Sequence, residues 1–343
     1  MTRVLIVDDS AVVRKILTDE LSKYEDIEVV GSAVDPYVAR DKILKLRPDV
    51  LTLDVEMPRM DGLTFLSKLM QFHPMPVVVV SSLTPKNSEA AIRALELGAV
   101  EVIGKPGSAY SVPEIARQLV RAIRAAAGAR IRKELLELPA VPPATRHFQL
   151  KTTDKVLAVG ASTGGTKAIE VLLTSLPAMA PGTVIVQHMP EHFTAAFASR
   201  LNQLAAMEVR EARDLDSVVT GVALIAPGHR HMVLERSGAR YLVRLHDGPP
   251  VHHQRPSVDV LFHSVARSGG ANAVGVLLTG MGADGAEGLL AMRESGSHTF
   301  AEDESSCVVF GMPREAIVLG AAAEVVALPR MAQAILAYLQ RDA

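Results

Sequence analysis

Cysteine is nearly absent from this chain: Cys307 stands alone among 343 residues. A single thiol cannot form an intrachain disulfide, which fits a reducing compartment. An excess of one charge is also missing. Thirty-six Lys and Arg face 38 Asp and Glu, for a net charge of −2, so the basic footprint of nucleic-acid binding is lacking. No apolar run approaches the ~20 residues of a membrane-spanning helix. The first run, Val4-Leu5-Ile6-Val7, leads straight into two aspartates. It has neither the length of a signal-peptide core nor a small-residue cleavage site. These absences point to a cytoplasmic protein with no nucleic-acid partner and no membrane insertion. What is present is apolar material: 48% of residues are hydrophobic, enough for a sizeable core, and the length allows two domains.

Over 1–127, short β-branched runs alternate with amphipathic stretches. Strands are expected at 4–7, 27–31, 50–53, 77–80 and 100–103. Helices are expected at 12–23, 36–46, 63–70, 88–97 and 114–127, the first with Val12, Val13, Ile16, Leu17 and Leu21 as its apolar face. Nearly continuous apolar strands alternating with helices predict a five-stranded parallel sheet, doubly wound and flavodoxin-like. Several strand ends carry charged or polar groups: Asp8 and Asp9, Asp54, Ser81, and Lys105 followed by Pro106. In a parallel sheet these ends converge on one edge. Three carboxylates there repel unless a cation sits among them, and an all-oxygen set suits Mg²⁺. Lys105 offers a positive charge to a phosphoryl oxygen and Ser81 a hydroxyl donor. The plainer alternative is that the aspartates cap helices. Together with the run Asp54-Val55-Glu56-Met57-Pro58-Arg59-Met60-Asp61-Gly62, these residues resemble a response-regulator receiver domain. That resemblance implies phosphorylation of Asp54 and Mg²⁺ held by Asp9, Asp54 and the Glu56 carbonyl, with Asp8 assisting through water. It implies switching through Ser81 and Lys105. Many receivers have an aromatic residue three before the Lys; here it is Val102.

Periodicity fades from Ala125, and Pro139, Pro142 and Pro143 break any continuing helix. We place a semi-rigid linker over 128–152. A second α/β alternation runs over 153–343 and predicts a doubly wound, mostly parallel sheet. Strands are expected at 183–187, 222–226, 232–235, 241–245, 273–278 and 298–301. Helices are expected at 166–176, 192–204, 258–267, 285–294 and 313–319. The apolar run Val156-Leu157-Ala158-Val159 ends in Gly160-Ala161-Ser162-Thr163-Gly164-Gly165, a Gly-x-Ser-x-Gly turn between strand and helix. Ser162, His188 and Asp284 all fall at strand ends of this half. That is the nucleophile, base and orienter arrangement of acyl transfer. Backbone N–H groups at Thr163 and in the Gly280-Met281-Gly282 loop are the expected oxyanion donors. The chain order Ser, His, Asp departs from that of the α/β-hydrolases.

Each of these residues has an alternative reading. Ser162 and Asp284 suit helix caps. His188 and His192 have metal-pair spacing, though Pro190 lies between them. His229, His231, His252 and His253 read as loop and surface residues, with one of them lining the cleft as the alternative. The Ser162 turn as a dinucleotide site lacks the middle glycine and a following acidic residue. A binding module without turnover is a further alternative.

The second half, through Gly160–Gly165, Gln187-His188-Met189-Pro190, Ala226-Pro227-Gly228 and Leu278-Thr279-Gly280-Met281-Gly282-Ala283-Asp284-Gly285, resembles the catalytic domain of the chemotaxis protein-glutamate methylesterases. With the receiver ahead of it, the resemblance spans nearly the whole chain. It implies a hydrolase without a cofactor at Ser162, His188 and Asp284. The reaction implied is demethylation of glutamate methyl esters, and deamidation of certain glutamines, on chemoreceptors. It further implies a histidine kinase as phosphodonor, masking of the site by the receiver until Asp54 is phosphorylated, and a monomer recruited to chemoreceptor arrays.

Overall fold

The computed structural model describes residues 1–57, 59–82, 84–105, 112–129, 155–191 and 193–341. Pro58, Pro106, His192 and the linker expected over 128–152, from residue 130 onward, lie outside the described residues. The chain divides into two compact units, Met1–Leu136 and Glu137–Ala343.

In the first unit, β1 (Thr2–Val7), β2 (Ile27–Ala33), β3 (Val50–Asp54), β4 (Val77–Ser81) and β5 (Glu101–Gly104) pair in the order β2-β1-β3-β4-β5. Every pairing is parallel. Helices α1 (Ala11–Leu21), α2 (Pro36–Leu46), α3 (Gly62–Phe72), α4 (Pro85–Glu96) and α5 (Val112–Ala127) separate the strands. Strand residues Val4, Leu5, Ile6, Val50, Leu51 and Val77 to Val80 are buried, as a sheet covered on both faces requires. Starts of helices are fixed locally. Ser10 accepts the Val13 N–H, Asp35 those of Tyr37 and Val38, and Asp61 that of Thr64, each side chain satisfying orphan first-turn donors. One expectation fails: Val12 is 68% exposed, while Leu17 and Leu21 are buried. At about 100° per residue Val12 lies well round the helix from those two.

In the second unit, β6 (Val156–Ala161), β7 (Gly182–Gln187), β8 (Glu208–Glu211), β10 (Val222–Ile225), β13 (Ala273–Leu277), β14 (His298–Glu302) and β15 (Glu324–Val326) form a seven-stranded sheet in the order β15-β14-β13-β6-β7-β10-β8. All its pairings are parallel. A separate antiparallel sheet, order β11-β12-β9, joins β9 (Ser217–Val218), β11 (His231–Ser237) and β12 (Arg240–His246). Its β11–β12 hairpin turns after Ser237, between the two strands the sequence predicts. The helices are α6 (Gly165–Ser175), α7 (Phe193–Leu204), α8 (Val258–Gly269), α9 (Ala286–Glu294), α10 (Met312–Val318) and α11 (Leu328–Arg341). Leu261, Phe262 and Val265 of α8 pack with Leu277, Leu289, Met292 and Met232 in one buried cluster.

The structure adds β8, β9, β15 and α11 to the expected elements. The three strands are short, and Glu208–Glu211 carries three charged side chains, so an apolar signal is missing. Helix α11 does bury a helical stripe of Leu328, Met331, Ala332, Ile335, Leu336 and Leu339. No helix among the described residues is long and apolar enough to cross a membrane.

Strand order decides where each unit opens a crevice. In the second unit the chain winds from β6 toward β7 on one side and later fills β13, β14 and β15 on the other. The winding reverses between β6 and β13, and the carboxyl ends there are where such sheets hold ligands. In the first unit the reversal falls between β1 and β3.

Candidate functional site

Ser162 follows β6, the first strand of the switch point. Its N–H donates to Thr279 O at 3.0 Å, and its carbonyl accepts from Gly165 N–H at 2.7 Å and from the buried Gln187 Nε2 at 2.8 Å. The residue is 8% exposed. The turn demands glycine at 164, where φ is +79° and an added Cβ would lie 2.5 Å from Val308 Cβ. Gly164, not Ser162, is the N-cap of α6. Ser162 is therefore not spent as a cap, and the positive end of α6 lies just beyond it.

His188 follows β7. Its N–H donates to Ala161 O at 3.1 Å, so its backbone is pinned beside the residue that precedes Ser162. Its Nε2 lies 2.7 Å from Asp284 Oδ2. A carboxylate only accepts, so Nε2 carries the hydrogen and Nδ1 holds the free lone pair. That Nδ1 is buried and makes no hydrogen bond among the described residues. His192, the other member of the metal-pair spacing, lies outside the described residues.

Asp284 is buried in the loop between β13 and α9. It does not cap α9, whose N-cap is Gly285. It meets the start of α8 instead. Oδ1 accepts from Ser257 Oγ at 2.7 Å and from Asp259 N–H at 3.1 Å, and Oδ2 accepts from Val258 N–H at 2.8 Å. Burial works to raise this carboxyl, but His188, the Val258 N–H and Ser257 outweigh it and hold it at about 2.

The loop after β13 packs directly on Ser162: an added Cβ at Gly280 would lie 2.7 Å from Ser162 Cβ. Gly280 does not fit its expected role as an oxyanion donor, because its N–H donates to Val309 O at 3.1 Å. Among the described residues, the N–H groups of Met281 and Gly282 take part in none of the loop's backbone hydrogen bonds. Thr163, the other expected donor, accepts from Thr279 Oγ1 at its carbonyl, 3.0 Å.

His231 departs from its expected surface placement, while His252 is exposed as expected. His231 is buried; its Nδ1 accepts the Ser257 N–H at 3.2 Å, and burial pushes its imidazole down. His252 Nε2 lies 3.1 Å from the buried Asp259 Oδ2. Ser257 and Gln187 are supporting residues that the sequence does not single out. Ser257, between Pro256 and a first-turn Asp259, nevertheless has a readable N-cap pattern.

In the first unit Asp8 and Asp54 are buried and Asp9 is exposed. Each offers an oxygen, and the three oxygens lie within 4.8 Å of one another. Lys105 Nζ lies 2.6 Å from Asp54 Oδ2 and 3.1 Å from Asp8 Oδ2. Ser81 is fully buried, its Oγ without a hydrogen bond among the described residues. Arg14 pins the acidic turn, donating to the carbonyls of Asp8 at 2.8 Å and Asp9 at 2.9 Å. The Glu56 N–H donates to Asp54 Oδ1 at 3.2 Å. Burial pushes Asp54 up to about 6 against the pull of Lys105, and the Asp8 charge adds to the rise. A hard-oxygen set of three carboxylates beside one Lys fits Mg²⁺.

Comparisons agree with this division. Residues 157–335 match the model of the CheB methylesterase family, and residues 4–117 that of the response regulator receiver domain. The chain is 58% identical over 337 residues to protein-glutamate methylesterase/protein-glutamine glutaminase 2 of Syntrophus aciditrophicus, covering 97% of this chain and 98% of that one. It is 54% identical over 337 residues to the protein of that name, without a number, from Salmonella typhimurium, covering 98% and 96%. The crystal structure of the Thermotoga maritima CheB methylesterase catalytic domain matches with TM-score 0.53 and 33% identity, over 54% of this chain and 99% of that one. The chain belongs to the CheB methylesterase family, with a receiver domain ahead of its methylesterase domain.

Proposed function

We propose that this chain is a phosphorylation-regulated serine hydrolase that demethylates glutamate methyl esters, and deamidates specific glutamines, on chemoreceptors. The domains are a receiver over 1–127, a linker over 128–152 and the hydrolase over 153–343. One observation carries the chemistry: a buried imidazole is held by Asp284 through Nε2 at 2.7 Å, which leaves Nδ1 as a buried, unpartnered base next to the Ser162 turn.

Ser162 Oγ attacks the ester carbonyl as His188 Nδ1 takes its proton. The developing oxyanion meets the N–H groups of Met281 and Gly282 and the positive end of α6, each such donor contributing roughly 2.7–4 kcal/mol. Asp284, ionised at neutral pH, stabilises the imidazolium. Collapse breaks the bond to the methoxy group, which leaves as methanol with the proton from His188. The acyl group stays on Ser162. Water, deprotonated by His188, then attacks it and releases the glutamate carboxylate and free Ser162. With a glutamine the same steps release ammonia. No cofactor enters the hydrolytic cycle.

In the receiver Asp54 accepts the phosphoryl group. Asp8, Asp9 and Asp54, with the Glu56 carbonyl, would hold Mg²⁺, which when bound neutralises charge on the transferring phosphoryl group. Lys105 leaves its carboxylate partners for a phosphoryl oxygen, and Ser81 Oγ, buried and unpaired, donates to the same group. The phosphodonor is a histidine kinase of the chemotaxis pathway, and the phosphorylated receiver relieves masking of Ser162. The protein acts as a cytoplasmic monomer recruited to chemoreceptor arrays. The test is methanol release from methylated chemoreceptor membranes by the purified chain. We expect release that disappears in Ser162→Ala. Equal release by that folded variant would overturn the assignment, and folded wild type that releases none would favour a binding module.

A further inference from the structure

At the end of β14 a carboxylate sits wholly inside the second unit, and no step of the hydrolytic cycle uses it. Glu302 has no exposed surface. Its Oε2 accepts the Thr279 N–H at 2.8 Å and its Oε1 accepts the Ser306 hydroxyl at 3.0 Å. Thr279 is the hub between Glu302 and the reacting groups. Its carbonyl accepts the Ser162 N–H at 3.0 Å. Its hydroxyl donates to Thr163 O at 3.0 Å and accepts the Val309 N–H at 2.9 Å. The next residue, Gly280, begins the loop that carries the Met281 and Gly282 donors.

We propose that Glu302 is a positioning residue for the hydrolysis: its carboxylate fixes the Thr279 peptide and, through it, the Ser162 backbone and the 280–282 loop. This rests on the hydrolase function proposed for the second unit. A charge-assisted bond from Thr279 is roughly twice as strong as a neutral one, so the ionised form holds the loop more firmly than the protonated form. Burial pushes Glu302 up to about 7, opposed by the Thr279 N–H, Ser306 and Cys307, while Asp303 adds to the rise. These groups face it from the end of β13 and from the segment after β14; α11 brings the Leu328 N–H, which donates to Ser306 Oγ at 2.9 Å. Both charge states have a place. With a proton on Oε1, Glu302 donates to Ser306 Oγ, and the Ser306 hydroxyl turns to Asp303 O, 3.2 Å away. Gln at 302 fits that second arrangement with one amide hydrogen on Ser306 Oγ, so Glu302→Gln is a neutral mimic of the protonated form at nearly the same shape.

The experiment uses the full-length chain with a small phosphodonor, Mg²⁺ and methylated receptor membranes, and measures kcat and KM from pH 5.5 to 9. At pH 8.5 we expect Glu302→Gln to lose about tenfold in kcat, the scale of a weakened oxyanion arrangement, with KM unchanged. As the wild type protonates Glu302 at low pH, the two kcat values should converge. A ratio constant across pH, or no loss at pH 8.5, would overturn the proposal. The amide resonances of Thr279 and Ser162 give a readout independent of turnover. In the wild type they should shift together with one midpoint near neutrality, and in Glu302→Gln neither should. Wild-type amides that stay still over this range would overturn the proposal even if hydrolysis occurs. Amides that titrate in a chain releasing no methanol would support the positioning link while removing the hydrolase function.

Discussion

The chemistry of this chain turns on which nitrogen of His188 is free. Asp284 engages Nε2, which leaves Nδ1 as the base in the proposed mechanism. Asp284→Asn would replace an acceptor by a group that can donate and would favour the wrong tautomer. We expect kcat to fall by roughly 10³–10⁴-fold with the fold intact, read as methanol release beside circular dichroism. Ser257 holds Asp284 and caps α8 at once. Ser257→Ala should lower stability by about 1 kcal/mol at neutral pH. Because the folded carboxyl lies at about 2, below its ordinary value of 3.8, it contributes stability that is present above 3.8 and lost as pH falls toward 2. Removing Ser257 raises the folded pKa and narrows that window. Urea unfolding at pH 7, 4 and 2.5 should therefore show the variant and wild type drawing together at the lowest pH. A gap that widens on acidification would contradict the role given to Ser257.

Elements place these residues more than their own preferences do. Ser162, His188 and Asp284 stand after β6, β7 and β13, which neighbour one another in the sheet as β13-β6-β7, and that much is legible in the sequence. Apolar runs mark the strands, and polar residues at their ends mark the crevice. Less legible are contacts that only folding brings together. Ser257 precedes Asp284 by 27 residues, and Glu302 meets Thr279 across two strands. The Gly280 N–H reads as available in the sequence because its partner, Val309 O, lies in a loop without regular pattern. Helix α11 is a different case: its apolar stripe is plain in the sequence, yet it lies beyond the last motif, with no polar strand-end residue to draw it into the expected alternation. Gly164→Ala places a side chain at φ +79° against Val308; we expect a loss of about 2 kcal/mol or more in urea unfolding and of hydrolysis with it. Ile335→Ala empties a fully buried site on α11, and thermal or urea unfolding should record a loss of about 2–5 kcal/mol. A cost under ~0.5 kcal/mol would mean that α11 is not part of the core.

At the scale of the whole molecule, two parallel-sheet units each open a crevice at a switch point, one lined by carboxylates and Lys105, the other by Ser162, His188 and Asp284. The central claim is that chemistry at Asp54 controls chemistry at Ser162. The most direct test is methanol release from methylated chemoreceptor membranes by wild type, Ser162→Ala and Asp54→Asn, each with and without a small phosphodonor and Mg²⁺. We expect wild-type release to rise with the phosphodonor, Ser162→Ala to release none under either condition, and Asp54→Asn to keep basal release without stimulation. Equal stimulation of Asp54→Asn would contradict the claim.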